Sequence, residues 1–411
     1  MNVLYPQCAG IDVHKETVVV CVRRMGPGGR ATEEVRTFAT TTAALVAVSD
    51  WLAAEGVTHA AMESTGVYWK PVWHLLEGRV ELLLVNAQHI KQVPGRKTDV
   101  KDCVWIAQLL QHGLLKASFV PPRPQQELRE LTRQRAQLVG EQGRATQRIQ
   151  KVLEDANIKL ASVATDVLGV SGRLMLRSLI DGETDPVKLA DLARQKLRGK
   201  IPALREALRG RVTEHHCFLL KLHLEHYDHL EQAIEQLNAR IAAQLAPFAD
   251  ARELVATIPG IAQRTAEVIL AEIGTDVKPF RTSAHLASWA GLCPGNNESA
   301  GKRRNGRMRK GSPWLRTALI QAAWAASRSK DTYLASHFKR VAARRGRKRA
   351  AAALAHTLLV VVYHVLSRRQ AYHELGADYL DRLDPRRVSH RLVKRLERLG
   401  YKVTIEAQTA V

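Results

Sequence analysis

CAGIDVHKETVVVCVRRM, residues 8–25, is the stretch whose reading decides the fold. Its two ends, CAGIDV and TVVVCVRRM, are apolar runs rich in β-branched residues, joined by the short polar link HKE. Such runs predict strands, and a link this short predicts that they pair antiparallel. The first strand ends on a carboxylate, Asp12, followed closely by His14 and Lys15.

Working outward, GPGGR at 26–30 reads as a turn, and EEVRTFAT alternates as a third strand should. TTAALVAVSDWLAAEG predicts a helix opened by Thr and closed by Gly56. THAAMEST and VELLLVN are further short strands, with the helical VYWKPVWHLLEG between them. Residues 1–120 are therefore expected to form a mixed α/β domain, an antiparallel start followed by strand–helix–strand units.

After PPRPQ the character changes. ELRELTRQRAQLVGEQGRATQRIQKVLEDA and HHCFLLKLHLEHYDHLEQAIEQLNARIAAQLA carry apolar residues at three- and four-residue spacing, with no proline inside. They predict two long helices, antiparallel and partly coiled-coil, within a region 121–250, with shorter helices between them over 155–211. Residues 251–349 form a third region and 350–411 a C-terminal helix and tail. The apolar run at 350–366 is interrupted by His356 and His364 and flanked by Arg, so a buried helix is expected there rather than a membrane span.

The chain has 411 residues, 45% of them apolar, with a net charge of +22 and a pI near 10.1. That much self-repulsion suits a protein whose partner is a polyanion, and nucleic acid is the simplest such partner. Five scattered cysteines without a CxxC pair argue for free thiols in a reducing cytoplasm and against a zinc site. The opening MNVLYPQCAGIDV lacks the basic and apolar segments of a secretory signal.

Carboxylates stand where strands end and a helix begins: Asp12, Glu63 in AMESTG, and Asp99 and Asp102 in GRKTDVKDCVWIAQLL. Thr98 can cap a helix there, which would put Asp99 and Asp102 on one face. Taken singly each acid reads as a surface residue or a cap. Together they can converge at the rim of a sheet, where their repulsion calls for a hard cation, Mg²⁺ or Mn²⁺. A pair of such ions would clamp the oxygens of a phosphoryl displacement, and His14, Lys15, Lys97 and Lys101 would surround the acids with positive charge.

GIDVHK, ESTGVYW and RKTDVKDCVWIAQLLQHGLL resemble the RuvC-like domain of the DEDD transposases of the insertion-sequence one-ten family, the bridge-RNA-guided recombinases. The resemblance implies that Asp12, Glu63, Asp99 and Asp102 are metal-binding catalytic acids. It also implies an RNase H-like N-terminal domain, a helical coiled-coil region that dimerises, and a mainly helical C-terminal transposase domain. A prokaryotic, nucleoid-associated protein working as a dimer, or as a tetramer built from two dimers, would follow.

Downstream, LVATIPGIAQRTAEVILAEIG at 254–274 has the outline of a helix-hairpin-helix, whose second helix could meet a phosphate at its N-terminus. From 299 to 349 there are sixteen Lys or Arg and one acid, Asp331. Lys302, Arg303, Arg304, Arg307, Arg309 and Lys310 follow Ser299 in a glycine-rich stretch that reads as a loop able to lie along a DNA backbone. On residue chemistry alone Ser299 is a loop serine with no neighbouring base. ASWAGLCPGNNESAGKRRNGRMRKGSPWLRTALIQAAWAA, however, is similar to the family's C-terminal transposase domain, and its motif serine falls on Ser299. The resemblance implies that Ser299 joins covalently to DNA during strand exchange.

Three features read as structural. Ser312, before Pro313, is a helix cap; Trp289, Trp314 and Trp324 pack a helical core; His216, His223, His226 and His229 line a solvated helix face. The expected activity is transposition of double-stranded DNA, at element ends and target, directed by a structured guide RNA. The alternative from the same acids is a metal-dependent junction endonuclease in which Ser299 is structural. A nucleic-acid-binding protein with a decayed centre is a third reading, opposed by the presence of all four acids.

Overall fold

Strand order follows from where the apolar residues fall. In the computed structural model, β1 (Gln7–Val13), β2 (Thr17–Met25), β3 (Ala31–Ala39), β4 (His59–Glu63) and β5 (Glu81–Val85) form one sheet in the order β3-β2-β1-β4-β5. The residues described are 3–26, 29–64, 66–87, 90, 101–294, 297–299, 301–305, 308 and 311–406, with the backbone alone for 297–299 and 302–305. β1, β2 and β3 pair antiparallel, as the short HKE link requires, and β1, β4 and β5 pair parallel.

β1 is central and buried along most of its length because both faces of the sheet are covered. Ala9, Ile11 and Val13 face helices Thr42–Ala54 and Trp69–Leu76, packing with Leu45, Leu52 and Leu76. On the other face Cys8, Ala61 and Val85 pack with Ile106 and Leu110 of helix Asp102–Gln111, and Cys21 with Cys103 and Ala107. That helix lies very close. A Cβ on Gly10 would fall 2.1 Å from the carbonyl oxygen of Cys103 and 2.4 Å from the nitrogen of Ala107. β3, at the edge, is largely exposed and carries the ion pairs Arg23–Glu33 and Arg24–Glu34.

The chain divides into two compact units, Met1–Val120 and Pro121–Val411. The second opens with helix Arg123–Asp155, which carries a proline in its first turn, where the missing N–H costs nothing. It runs antiparallel to helix Glu214–Leu245: Asp155 meets His216 at one end and Arg135 meets Asn238 toward the other. Short helices between them, among them Val170–Ile180, close a core around Leu153, Leu160, Met175, Leu176 and Leu220. Further on, helices Pro313–Ala326, Tyr333–Arg345 and Arg347–Arg368 follow one another.

Helix Arg347–Arg368 is long and apolar enough to cross a membrane, but half of that apolar stretch is buried within the protein, including Leu354, Leu358, Leu359 and Val362. The Tyr363 hydroxyl donates to the Phe280 carbonyl at 3.2 Å. It is a core helix, as its interrupting histidines suggested.

Candidate active site

Register brings two of the acids together. Ile11 pairs with Met62 across the parallel β1–β4 ladder, so the next residues, Asp12 and Glu63, stand side by side at the C-terminal ends of adjacent strands. Parallel neighbours are about 4.8 Å apart, and residues two apart on a strand share a face, so Asp12 and Glu63 both lie on the face of Gly10 and Ala61. The third acid arrives on helix Asp102–Gln111, which crosses that same face with Cys103 against Gly10. Asp102 is the first residue of the helix. A carboxylate in the first turn also answers the helix dipole, so the placement is favourable before any ligand is considered. Burial chiefly, and the charge of Asp12 to a smaller degree, raises the pKa of the Cys103 thiol.

The motif's helix starts later than the sequence suggests. Lys101 holds the N-cap position in an extended conformation, and Thr98, Asp99 and Lys97 lie outside the described residues. Among the described residues no three His, Cys, Asp or Glu side chains are close enough to hold a metal ion. Asp12, Glu63 and Asp102 offer carboxylate oxygens, the donor type that suits a hard cation.

His14 Nε2 lies 3.1 Å from Asp12 Oδ2, with the histidine mostly exposed. Lys15 and His14, with Thr40 and Tyr68, line a small pocket of about 210 Å³ beside the strand ends. Lys101 is exposed at the mouth of its helix. All five cysteines are free, and burial pushes Cys8 up to about 11 and Cys21 up to about 12. Those thiols are packing groups.

Ser299 is not in an irregular loop. It ends β6 (Asn297–Ser299), which pairs antiparallel with β7 (Lys302–Asn305), Ser299 opposite Lys302 and Glu298 opposite Arg303. The connection between the strands contains Gly301 at φ 71°, a left-handed conformation that suits glycine. The serine thus stands at the tip of a hairpin, with Lys302, Arg303 and Arg304 on the return strand. Arg307, Arg309 and Lys310 lie outside the described residues. At the root, Pro294 bridges to Met308, and a Cβ on Gly311 would lie 2.4 Å from the carbonyl of Ala290, so the two legs meet backbone to backbone.

Behind that root lies a polar cluster that sequence reasoning missed. Glu272, 1% exposed, accepts two parallel bonds from Arg133, at 2.8 and 2.9 Å, and one from the Ser312 hydroxyl at 3.1 Å. Arg129 and Gln125 donate to the Ala271 carbonyl at 3.1 and 3.2 Å, satisfying the C-terminus of helix Gln263–Ile273. Burial pushes the Arg129 guanidinium down to about 10, while Glu272 pulls it the other way. Arg135 pairs with Glu267 at 2.6 Å. The available signal was two glutamates inside the apolar run AEVILAEI, since charges on a buried helix face need partners.

The other readings fare unevenly. Ser312 is a cap, accepting from the Leu315 N–H at 3.3 Å, and also bonds Glu272. The Pro-Gly turn between helices Ala249–Ala256 and Gln263–Ile273 is present, but Gly260 is spent on packing: its Cβ would lie 2.4 Å from the Ala322 carbonyl. Trp289 packs on Phe280 and Trp324 on Phe338, whereas Trp314 lines an open groove with Arg264 and Thr265. His216 is buried, not solvated. Its Nδ1 accepts from the Thr213 N–H at 3.1 Å in a capping box, and its Nε2 lies 3.0 Å from Asp155.

Two family models match this chain. One, of DEDD transposases of the IS110 type and described as "Transposase", matches residues 9–158, and the other, "Transposase IS116/IS110/IS902 family", matches residues 252–340. The chain belongs to the IS110 family of transposases. The first match takes in the whole acidic rim and the first long helix; the second takes in the Ser299 hairpin and the cluster's glutamates. Among relatives, the transposase for insertion sequence element IS1111A of Coxiella burnetii is 26% identical over 294 residues, 70% of this chain and 72% of its own length. The insertion element IS110 uncharacterized 43.6 kDa protein of Streptomyces coelicolor is 35% identical over 98 residues, 23% of this chain and 24% of its own. The pilin gene-inverting protein of Moraxella bovis is 27% identical over 192 residues, 45% of this chain and 59% of its own. The sheet order of the first unit is the RNase H-like order that the IS110 motifs imply.

Proposed function

We propose that this IS110-family enzyme excises and integrates an insertion sequence by breaking and rejoining DNA, using the acids of the first unit together with Ser299 of the second. The observation that carries the reading is the register match of Asp12 and Glu63 at the sheet rim, with Asp102 brought to the same face by a helix seated on Gly10. Carboxylates set on one face of a sheet add nothing to stability by themselves, because like charges repel.

Asp12, Glu63, Asp99 and Asp102 would hold Mg²⁺ or Mn²⁺, which when bound stabilises charge developing on phosphoryl oxygens. The Ser299 hydroxyl attacks a DNA phosphorus. A phosphoserine ester forms, one bridging P–O bond of the DNA breaks, and the departing oxygen gains a proton as the serine loses one. The bond energy stays in the ester, so a hydroxyl from another strand reverses the step and frees the serine without ATP. Lys15, Lys97 and Lys101 on the first unit, and Lys302, Arg303, Arg304, Arg307, Arg309 and Lys310 on the hairpin, hold the phosphates and offset their charge. This chemistry would require the acids and the serine to meet, within one subunit or across two. A dimer, or a tetramer built from two dimers, would supply sites for element ends and target. A structured guide RNA pairing with both DNAs would set sequence choice, leaving the protein to read shape and charge.

The test uses the purified full chain and DNA carrying the element ends with its flanking RNA. Cleavage is expected in Mg²⁺ or Mn²⁺ and not in EDTA. Asp12→Asn and Glu63→Gln should abolish it while DNA binding persists. Cleavage that survives both substitutions would remove the acids from the chemistry. Cleavage in wild type without any protein–DNA adduct would favour the hydrolytic endonuclease.

A further inference from the structure

The Ser299 hairpin is long relative to its root. The return strand β7, Lys302–Asn305, covers about 10 Å at a strand rise of about 3.3 Å per residue. A tilt of about 10° at the base of that strand therefore moves the tip by roughly 2 Å, against a tolerance of about 0.5 Å for productive geometry. Ordinary backbone play at residues 311–312 would be enough to misplace a nucleophile. Something must fix the angle at which the hairpin leaves helix Pro313–Ala326.

Ser312 stands at that point and is bound on two sides. Its oxygen accepts from the Leu315 N–H, and its hydroxyl donates to Glu272 at 3.1 Å. Glu272 cannot swing with it, because Arg133 grips both carboxylate oxygens and Arg129 binds the backbone at the same helix end. A helix cap needs only the first contact. A buried carboxylate already satisfied by an arginine fork needs no serine. The second contact ties the hairpin's exit to a rigid point shared by two helices, while Gly311 lies flat on Ala290 and Gly291 beside it.

We propose that Ser312 and Glu272 form a positioning latch that sets the direction of the Ser299 hairpin. Neither is a catalytic residue, since neither touches the reacting atoms. The inference rests on Ser299 as nucleophile for its consequence, but the latch itself has a readout that does not.

Ser312→Gly separates latch from cap, because glycine serves at an N-cap almost as well as serine but has no hydroxyl for Glu272. Ser312→Thr keeps both contacts. Three quantities are measured on the full-length variants: thermal midpoint with DNA affinity, amide hydrogen exchange over 297–305, and the rate of covalent adduct formation on element-end DNA. With the midpoint and affinity near wild type, Ser312→Gly should exchange faster in the hairpin and form adduct about tenfold more slowly or worse. Ser312→Thr should restore both. Unchanged exchange in Ser312→Gly overturns the latch, whatever the adduct does. Faster exchange with an unchanged adduct rate overturns its role in positioning. If wild type forms no adduct that Ser299→Ala removes, the nucleophile reading fails, and exchange alone then decides the latch.

Discussion

The acidic rim of the first unit and the serine hairpin of the second are both placed through contacts remote in sequence, but by different means. Asp12 and Glu63 are set by strand register, which the two covered faces fix together, since a one-residue slip would put a larger side chain where Gly10 meets the Cys103 carbonyl. Ser299 ends a strand of a separate ribbon, β6 paired with β7. Its hairpin is two-stranded, a structure marginal by itself, and is held from behind through Gly311, Ser312 and Glu272. An apolar core thus builds the acid half, and a buried polar cluster holds the serine half. The first should tolerate change that keeps the pattern; the second should fail when one hydrogen bond is lost.

Substitution of the reacting groups has the largest effect and tests whether both halves are needed. Asp12→Asn or Glu63→Gln should lower cleavage by more than about a hundredfold, beyond the usual cost of losing a metal's outer partner, as followed by release of labelled DNA. Ser299→Ala should leave DNA affinity intact and eliminate the covalent product. If Ser299→Ala still rejoins strands while the acid variants do not, the two halves are not one site.

Next come the glycines at which each half touches backbone to backbone. Gly10→Ala would put a methyl 2.1 Å from the Cys103 carbonyl, and Gly311→Ala one 2.4 Å from the Ala290 carbonyl. Each overpacks by about 1–3 kcal/mol. Denaturant unfolding should show both losses. Gly10→Ala should slow all strand cleavage, because it displaces Asp102 from Asp12. Gly311→Ala should slow adduct formation while metal affinity, followed by calorimetry, stays at wild type. Equal loss of metal binding in both variants would erase the distinction.

The smallest effect belongs to His216. His216→Ala removes a capping box and the Asp155 contact, so unfolding should cost about 1 kcal/mol less. Cleavage in Mg²⁺ should not change, because both ring nitrogens of this histidine are engaged at a helix end. Loss of activity at full folding would reopen the histidine face as a site.

The acid half was the more legible. HKE between two β-branched runs dictates the antiparallel pair, and acids at strand ends follow from where apolar runs stop. The onset of the motif helix was misjudged because Thr98 is as good a cap on paper as any residue, yet the helix begins at Asp102 after Lys101. Ser299 looked like a loop residue because glycine and arginine carry no strand propensity; pairing of Ser299 with Lys302 overrode it. The buried cluster was invisible for a physical reason. Arg133 and Glu272 are 139 residues apart, and no local periodicity announces a pair whose partners meet only after the helices pack.

The central claim is that Ser299 is the atom donor to DNA and the acids its electrostatic partners. The most direct measurement traps the reaction on element-end DNA carrying a nick that prevents rejoining, digests the protein, and maps the nucleotide-bearing peptide by mass spectrometry. The account predicts a single modified peptide with the nucleotide on Ser299, present in Mg²⁺ and missing from Asp12→Asn. Cleaved DNA with no modified peptide, or a nucleotide on any other residue, would contradict it.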